Sequence, residues 1–377
     1  MRFEPIPIHH LDEVLPHIRE GSGIRTWRRE GYTVVDYTFM DRETFIAPID
    51  HECRGLKFDG DGAILARPFH KFFNLGERER VEDVDWSAPH RVLAKLDGSM
   101  VHPAMLGGEL VLMTRGGVTA QAEAAMNAAS DGALALCRAA LADGITPIFE
   151  FTSPENRIVL AYDDAGLTLL TARETVSGRY LGQADLETLG REHSVPVVEA
   201  FGSVEDAKAF ENRVRNEEGI EGYVVAFEDG HRLKLKTEAY ALRHKALSGL
   251  AHEKNLLAWI AGGALDDVLP LLAPVPRERV EAYVATVEDG VRHRQEAVET
   301  FVSDHADADR KAFAIAAQAL DKPLRSAAFA ILDGRDARDA IVKHLEWASH
   351  SETRVDQVRD LYGLPTWSGA DLAPEAG

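Results

Sequence analysis

The hydrophobic period of this chain changes once, near Leu247, and that change dictates which kinds of domain it can build. Upstream, short apolar runs at 32–37, 64–66, 92–94, 110–113, 148–151, 167–170 and 223–227 are mostly bounded by Gly, Asp or Pro, which predicts strands. Residues 120–142, rich in Ala and Leu, predict a helix ended by Asp143-Gly144, and 204–218 a second ended by Gly219. Downstream the strand signals stop. Apolar residues recur near the helical period at 256–260, 280–301, 312–320, 327–332 and 340–347. The expectation is an α+β domain over 1–246, an all-helical domain over 247–362 and a loose Gly-, Pro- and Ala-rich tail over 363–377.

A chain of 377 residues suits two such domains. Its 2 cysteines, Cys53 and Cys137, cannot build a disulfide framework and lie in no metal spacing, which points to a reducing cytoplasm. The N-terminus has no apolar signal core, and the longest apolar stretch, near 256–276, is interrupted by Asp266 and Asp267, so secretion and membrane insertion are not expected. A net charge of −20 argues against gripping nucleic acid by broad phosphate neutralisation, so any such contact must be local. There is no GxxxxGK[ST] loop, GxGxxG turn or HExxH helix, which removes P-loop kinases and zinc hydrolases.

Lys95-Leu96-Asp97-Gly98 follows a predicted strand and precedes another extended run, a place from which a lysine could attack a nucleotide phosphate. Only three of its letters are fixed, and chance alone yields Lys-x-Asp-Gly in roughly one chain in ten of this size, so further elements must support it. A lysine amine is nucleophilic only when neutral, and an enzyme that uses one must bring its pKa down from about 10.4 by burial or nearby positive charge. Lys71, Lys234 and Lys236 could supply that charge. Attack on the α-phosphate of ATP would leave a lysyl-adenylate and release pyrophosphate.

Three carboxylates are candidate ligands for Mg²⁺ or Mn²⁺: Asp97, Glu150 and Glu221. Strand alternation puts Glu150 opposite Phe149 and Phe151, which is equally compatible with a solvent-facing side chain. Asp97 could instead simply shape its turn. In the run 231–236, Leu233 and Leu235 share one face while Lys234 and Lys236 share the other, either to receive phosphates or as edge-protecting lysines. Gly222 suits a close ligand approach or a strand entry. Arg54 would clamp phosphate with a fork and Lys71 with a point charge, while of the adjacent Phe72 and Phe73 only one can face a site.

Taken in order, Glu52-Cys53-Arg54-Gly55-Leu56-Lys57-Phe58, Ala66-Arg67-Pro68-Phe69-His70-Lys71-Phe72-Phe73-Asn74-Leu75, Lys95-Leu96-Asp97-Gly98, Phe149-Glu150-Phe151, Asn156-Arg157-Ile158-Val159-Leu160-Ala161-Tyr162, Glu221-Gly222-Tyr223-Val224 and Lys234-Leu235-Lys236 closely resemble the phage-type RNA ligase 1 family. The resemblance implies a nucleotidyltransferase domain of antiparallel sheets with flanking helices, followed by an all-α domain that selects RNA. It implies that Lys95 is adenylylated and that Arg54, Lys71, Lys234 and Lys236 contact ATP phosphates or sugar. It further implies that Phe73 lines the nucleotide site, that Gly98 and Gly222 let backbone approach it, that Glu150 and Glu221 serve metal and ribose, and that Tyr240 flanks the last strand. Where the family usually has lysine before a glycine, this chain has Thr114-Arg115-Gly116, so Arg115 keeps the charge in a different shape. Asp266-Asp267 falls where the family has an acidic pair implicated in a second metal.

The activity implied is an ATP-dependent RNA ligase that joins 5′-phosphate and 3′-hydroxyl ends, possible substrates including a nicked tRNA, acting as a cytoplasmic monomer with no membrane partner. Two alternatives stay open: an RNA-end adenylyltransferase without efficient sealing, and a non-catalytic RNA-end-binding protein.

Overall fold

The computed structural model describes residues 3–41, 43–155 and 158–369. The chain divides into two compact units, one running to Ala241 and the other starting at Leu242.

The first unit holds thirteen strands among its described residues: β1 Ile24–Arg29, β2 Tyr32–Tyr37, β3 Leu56–Asp59, β4 Ile64–Ala66, β5 Phe73–Asn74, β6 His90–Lys95, β7 Ser99–Leu106, β8 Glu109–Met113, β9 Ile145–Thr152, β10 Gly166–Glu174, β11 Ala200–Phe201, β12 Gly222–Phe227 and β13 Arg232–Lys236. They form three sheets, ordered β1-β2-β3-β4, β10-β9-β7-β8 and β11-β6-β12-β13-β5. The pairings between these strands are antiparallel, as the resemblance implies, except β13 with β5, which run parallel.

The second sheet is covered on one face by helices Ala120–Ala128, Asp131–Ala142 and Gln183–His193, whose Ala125, Leu136, Ala140 and Leu186 pack with Phe149, Phe151 and Leu169. The single helix expected over 120–142 is two, because the Ser130 hydroxyl accepts the Ala133 N–H and starts a new helix. In the third sheet Val92, Val225, Leu233 and Leu235 turn to one side and meet Phe210 and Val214 of helix Ala207–Arg215. Period-two alternation therefore sends Lys234 and Lys236 to the other side.

A buried ionic knot joins Glu52 to Arg67, just after β4, and to Arg173 of β10. Glu52 accepts from Arg67 Nε at 3.1 Å and from Arg173 Nη1 and Nη2 at 3.0 and 2.8 Å. Burial opposes ionisation of Glu52, but Arg173 and Arg67 outweigh it and hold the carboxyl below its ordinary value.

Among the described residues no strand follows β13. The second unit is built around the 31-residue helix Pro274–Asp304, whose Val280, Tyr283, Val287, Val291 and Val298 are buried, with Lys322–Leu332, Ala337–Ala348 and Glu352–Tyr362 among its other helices. Residues 363–369, expected to be loose, are held: Trp367 Nε1 donates to the Leu250 carbonyl at 2.6 Å and its ring meets Tyr283 edge-on at 5.5 Å. An indole N–H with a buried acceptor and an aromatic neighbour anchors the segment. The rest of that tail, 370–377, lies outside the described residues. Among the described residues no helix is long and apolar enough to cross a membrane.

Candidate active site

Lys95 is the last residue of β6, and the register sets Gly222 of β12 opposite it, with Lys236 of β13 opposite Gly222 on the other side. Glu221, one residue earlier, therefore lands between two amines: its Oε1 lies 2.7 Å from Lys95 Nζ and 3.0 Å from Lys236 Nζ. The carboxylate is buried, so this shared pair is shielded from solvent screening. Gly222 has φ +144°, and a Cβ there would collide with the Leu235 carbonyl oxygen. Strand entry thus demands this glycine whether or not a ligand approaches.

The β9 alternation turns Phe149 and Phe151 into the helix-covered core and Glu150 away from it. Glu150 is only 8 % exposed, so it is not the solvent-facing side chain that its pattern also allowed. Its Oε1 accepts the Gly98 N–H at 3.1 Å. Burial pushes its carboxyl up to about 7, with Lys95 opposing and Glu221 reinforcing the rise. Gly98 packs so closely on β9 that a Cβ would strike the Phe151 carbonyl oxygen.

Asp97 is placed differently from a metal ligand. Its Oδ2 accepts the N–H groups of Val159 and Leu160 at 2.7 and 2.6 Å, and its Oδ1 accepts the Tyr240 hydroxyl at 2.6 Å. Its own N–H donates to the Tyr162 hydroxyl at 2.9 Å. A fully buried carboxylate satisfied on both oxygens is a fastener for the turn that follows Lys95. Tyr240 consequently supports Asp97, and its ring carries Lys236 Nζ at 4.9 Å; burial, Glu221 and the bond to Asp97 raise its hydroxyl pKa.

Several cations gather around Lys95. Lys234 is pushed well below its usual value by burial first and then by Arg54, Lys95, Lys71 and Lys236, so these five share one field. Its Nζ lies 4.7 Å over the buried Phe72 ring. Lys71 Nζ is caged by the Tyr37, Phe45 and Phe73 rings at 5.1, 5.7 and 5.3 Å and donates to the Tyr37 hydroxyl at 3.3 Å. Of the two phenylalanines it is Phe73 that lies beside this amine. Arg115 joins the group through Tyr37, lying 4.8 Å over its ring, with Nε 3.1 Å from Asp36 Oδ2. Burial opposes ionisation of Tyr37, yet Lys71, Arg54 and Arg115 together bring its hydroxyl below the ordinary value. So many cations gathered in one field suit a polyphosphate anion.

Tyr37, Asp36, Lys57 and Tyr162 were not singled out from sequence. Tyr37 ends the strand run 32–37, but nothing in that run marked it as a site residue. Asp266 and Asp267 belong to the second unit, exposed in the first turn of helix Leu265–Val268. Asn156 and Arg157 lie outside the described residues. Among the described residues no group of three or more His, Cys, Asp or Glu forms a metal cage. Two neighbouring buried carboxylates, Glu150 and Glu221, nevertheless fit Mg²⁺, which keeps waters and takes phosphate oxygens in place of a full protein shell.

A family model described as RNA ligase, of the T4 RNA ligase 1 type, matches residues 52–240, the stretch that carries Lys95, both glutamates and the group of cations. The chain belongs to this RNA ligase family. The ligase is 32% identical over 283 residues to the putative RNA ligase of Thermovibrio ammonificans, spanning 71% of this chain and 73% of that one. It is also 32% identical over 280 residues to RNA ligase 1 of bacteriophage TS2126, spanning 69% and 67%. Among solved structures it is similar to an archaeal ATP-dependent RNA ligase at 20% identity and TM-score 0.47, over 64% of each chain. The family assignment of this ligase rests on the sequence matches.

Proposed function

We propose that this chain is an ATP-dependent RNA ligase that seals a 5′-phosphate end to a 3′-hydroxyl end through lysyl-AMP and RNA-adenylate. The observation that carries the reading is the Lys95 amine at the junction of β6, β12 and β13, flanked by two buried glutamates and set among the gathered cations.

In the first step the Lys95 amine attacks the α-phosphorus of ATP; an N–P bond forms, the bond to the bridging oxygen breaks and pyrophosphate leaves. With the α-phosphate at Lys95, the cations Lys234, Lys71, Arg54 and Arg115 receive the rest of the triphosphate. Phe73 and Tyr240 border the site, while Gly98 and Gly222 keep its floor low. In the second step a 5′-phosphate oxygen attacks the adenylyl phosphorus and releases the lysine amine. In the third, the 3′-hydroxyl attacks the 5′-phosphorus and expels AMP. All three are displacements at phosphorus, so fixed cations can serve each. Glu150 and Glu221 would hold Mg²⁺ or Mn²⁺, which when bound neutralises charge developing on the phosphate oxygens.

The helical unit would select the RNA, with a nicked tRNA as one candidate, and Asp266-Asp267 would place a second metal there. A cytoplasmic site of action fits two unpaired, buried cysteines. Incubation with labelled ATP and then 5′-phosphorylated RNA tests the whole reading: it requires labelled protein and joined RNA. Label without joining would reduce it to an adenylyltransferase, and no label to an end-binding protein.

A further inference from the structure

We propose that Lys57 is a positioning residue whose buried ammonium ties together the two turns that carry Arg54 and Arg115, and so sets where those guanidiniums meet the outer phosphates of the nucleotide. The inference rests on the adenylylation reading above for the identity of the ligand.

Lys57 lies in β3 and is fully buried, so it cannot touch a nucleotide itself. Its Nζ donates to the carbonyls of Gly55, Thr114 and Arg115 at 2.7, 2.7 and 2.8 Å. All three ammonium donors are thereby used, on two segments nearly sixty residues apart. One segment follows Arg54 directly; the other is the backbone of Arg115. The turns are in backbone contact as well, since Gly55 has φ +79° and a Cβ there would lie 2.8 Å from the Arg115 carbonyl oxygen.

The base of this tie is rigid. Lys57 pairs with Val34 of β2 on one side and Ala66 of β4 on the other, between the buried Leu56 and Phe58. An apolar side chain would satisfy this strand interior without desolvating a charge. Burial brings Lys57 down to about 7; Asp36 opposes this, and Arg54 and Arg115 add to it. An anion held by the two arginines would relieve that repulsion. The buried Asp36 carboxylate fixes the Arg115 guanidinium, so this arginine is gripped at both backbone and side chain.

The test measures lysyl-AMP formation against ATP concentration for the full chain, Lys57→Met, Arg115→Ala and the double variant, with melting temperatures taken separately. Lys57→Met should raise the half-saturating ATP concentration about tenfold, the order expected for lost charged hydrogen bonds, with the maximal rate within about threefold. If Lys57 works through Arg115, the double variant should be within about twofold of Arg115→Ala alone. Lys57→Gln, which keeps a donor but cannot span three carbonyls, should shift half-saturation the same way and serves if the methionine variant does not fold. A lowered melting temperature with unchanged half-saturation, or fully additive losses, would overturn the proposal. Should the native chain fail to take AMP, the adenylylation reading falls by itself. Calorimetric titration of the same proteins with ATP then decides the tie, and equal affinities in all four would reject it.

Discussion

Glu221 Oε1 is shared between Lys95 Nζ at 2.7 Å and Lys236 Nζ at 3.0 Å, so one buried carboxylate links the proposed nucleophile to one of the surrounding cations. Removing it would leave two adjacent amines without their common counter-charge. Glu221→Ala and Glu150→Ala should each slow adenylylation by about tenfold or more and move its Mg²⁺ dependence to higher concentration. Metal titrations identical to those of the native chain would make both residues structural.

Glu150 also makes a pH prediction. Its folded pKa of about 7 exceeds the unfolded value of about 4.3, so the folded state binds more protons between these limits. Its contribution is therefore fully present below about pH 4 and is lost as pH rises through about 7, leaving a cost of roughly 3–4 kcal/mol at pH 8. Glu150→Gln should melt higher than the native chain at pH 8 and lose that advantage by pH 5. Calorimetric scans at the two pH values read this directly, and a gap that does not change with pH would refute it.

Strands β2 and β4 were legible at their bounds because their apolar residues stand out against polar neighbours. β1 was not, since Arg25, Thr26, Arg28 and Arg29 make an edge strand with a mostly exposed face look like a loop. Helix Glu352–Tyr362 escaped for the same reason, burying only Val355, Val358 and Tyr362. Within the site, strand alternation showed only that Lys234 and Lys236 share a face, and it was the family resemblance that picked out Lys95, Glu150, Glu221, Lys234 and Lys236 together. The fastening of Asp97 was hidden, since its partners Val159, Leu160 and Tyr240 lie 62, 63 and 143 residues away. Lys57 was hidden likewise: a lysine between Leu56 and Phe58 does not announce three carbonyl acceptors, two of which lie on a distant turn.

The Glu52 knot predicts a large loss of stability. Glu52→Gln removes the charge that two fully buried arginines share and should cost about 3–5 kcal/mol in urea unfolding. Because its folded pKa is lowered, the stabilisation is present above the unfolded value and fades as pH falls through the folded one. A change below about 1 kcal/mol would show that the knot is not coupled to folding.

The division of labour between the units can be tested by truncation. Helix Glu238–Gly249 runs across the boundary, so the cut belongs after Gly249 and not inside the helix. A soluble, folded fragment of residues 1–249 should still form lysyl-AMP but lose preference among RNA substrates. If it discriminates tRNA-like from linear RNA as the full chain does, selection does not reside in the helical unit.

The most direct test of the central claim is covalent labelling of the native chain and of Lys95→Ala with ATP labelled in the α-phosphate, followed by mapping of the labelled peptide. One adenylyl group is expected on Lys95 of the native chain and none on the variant, which should still join pre-adenylylated RNA because the covalent step is then bypassed. Persistent label on Lys95→Ala, or label mapped to another residue of the native chain, would contradict it.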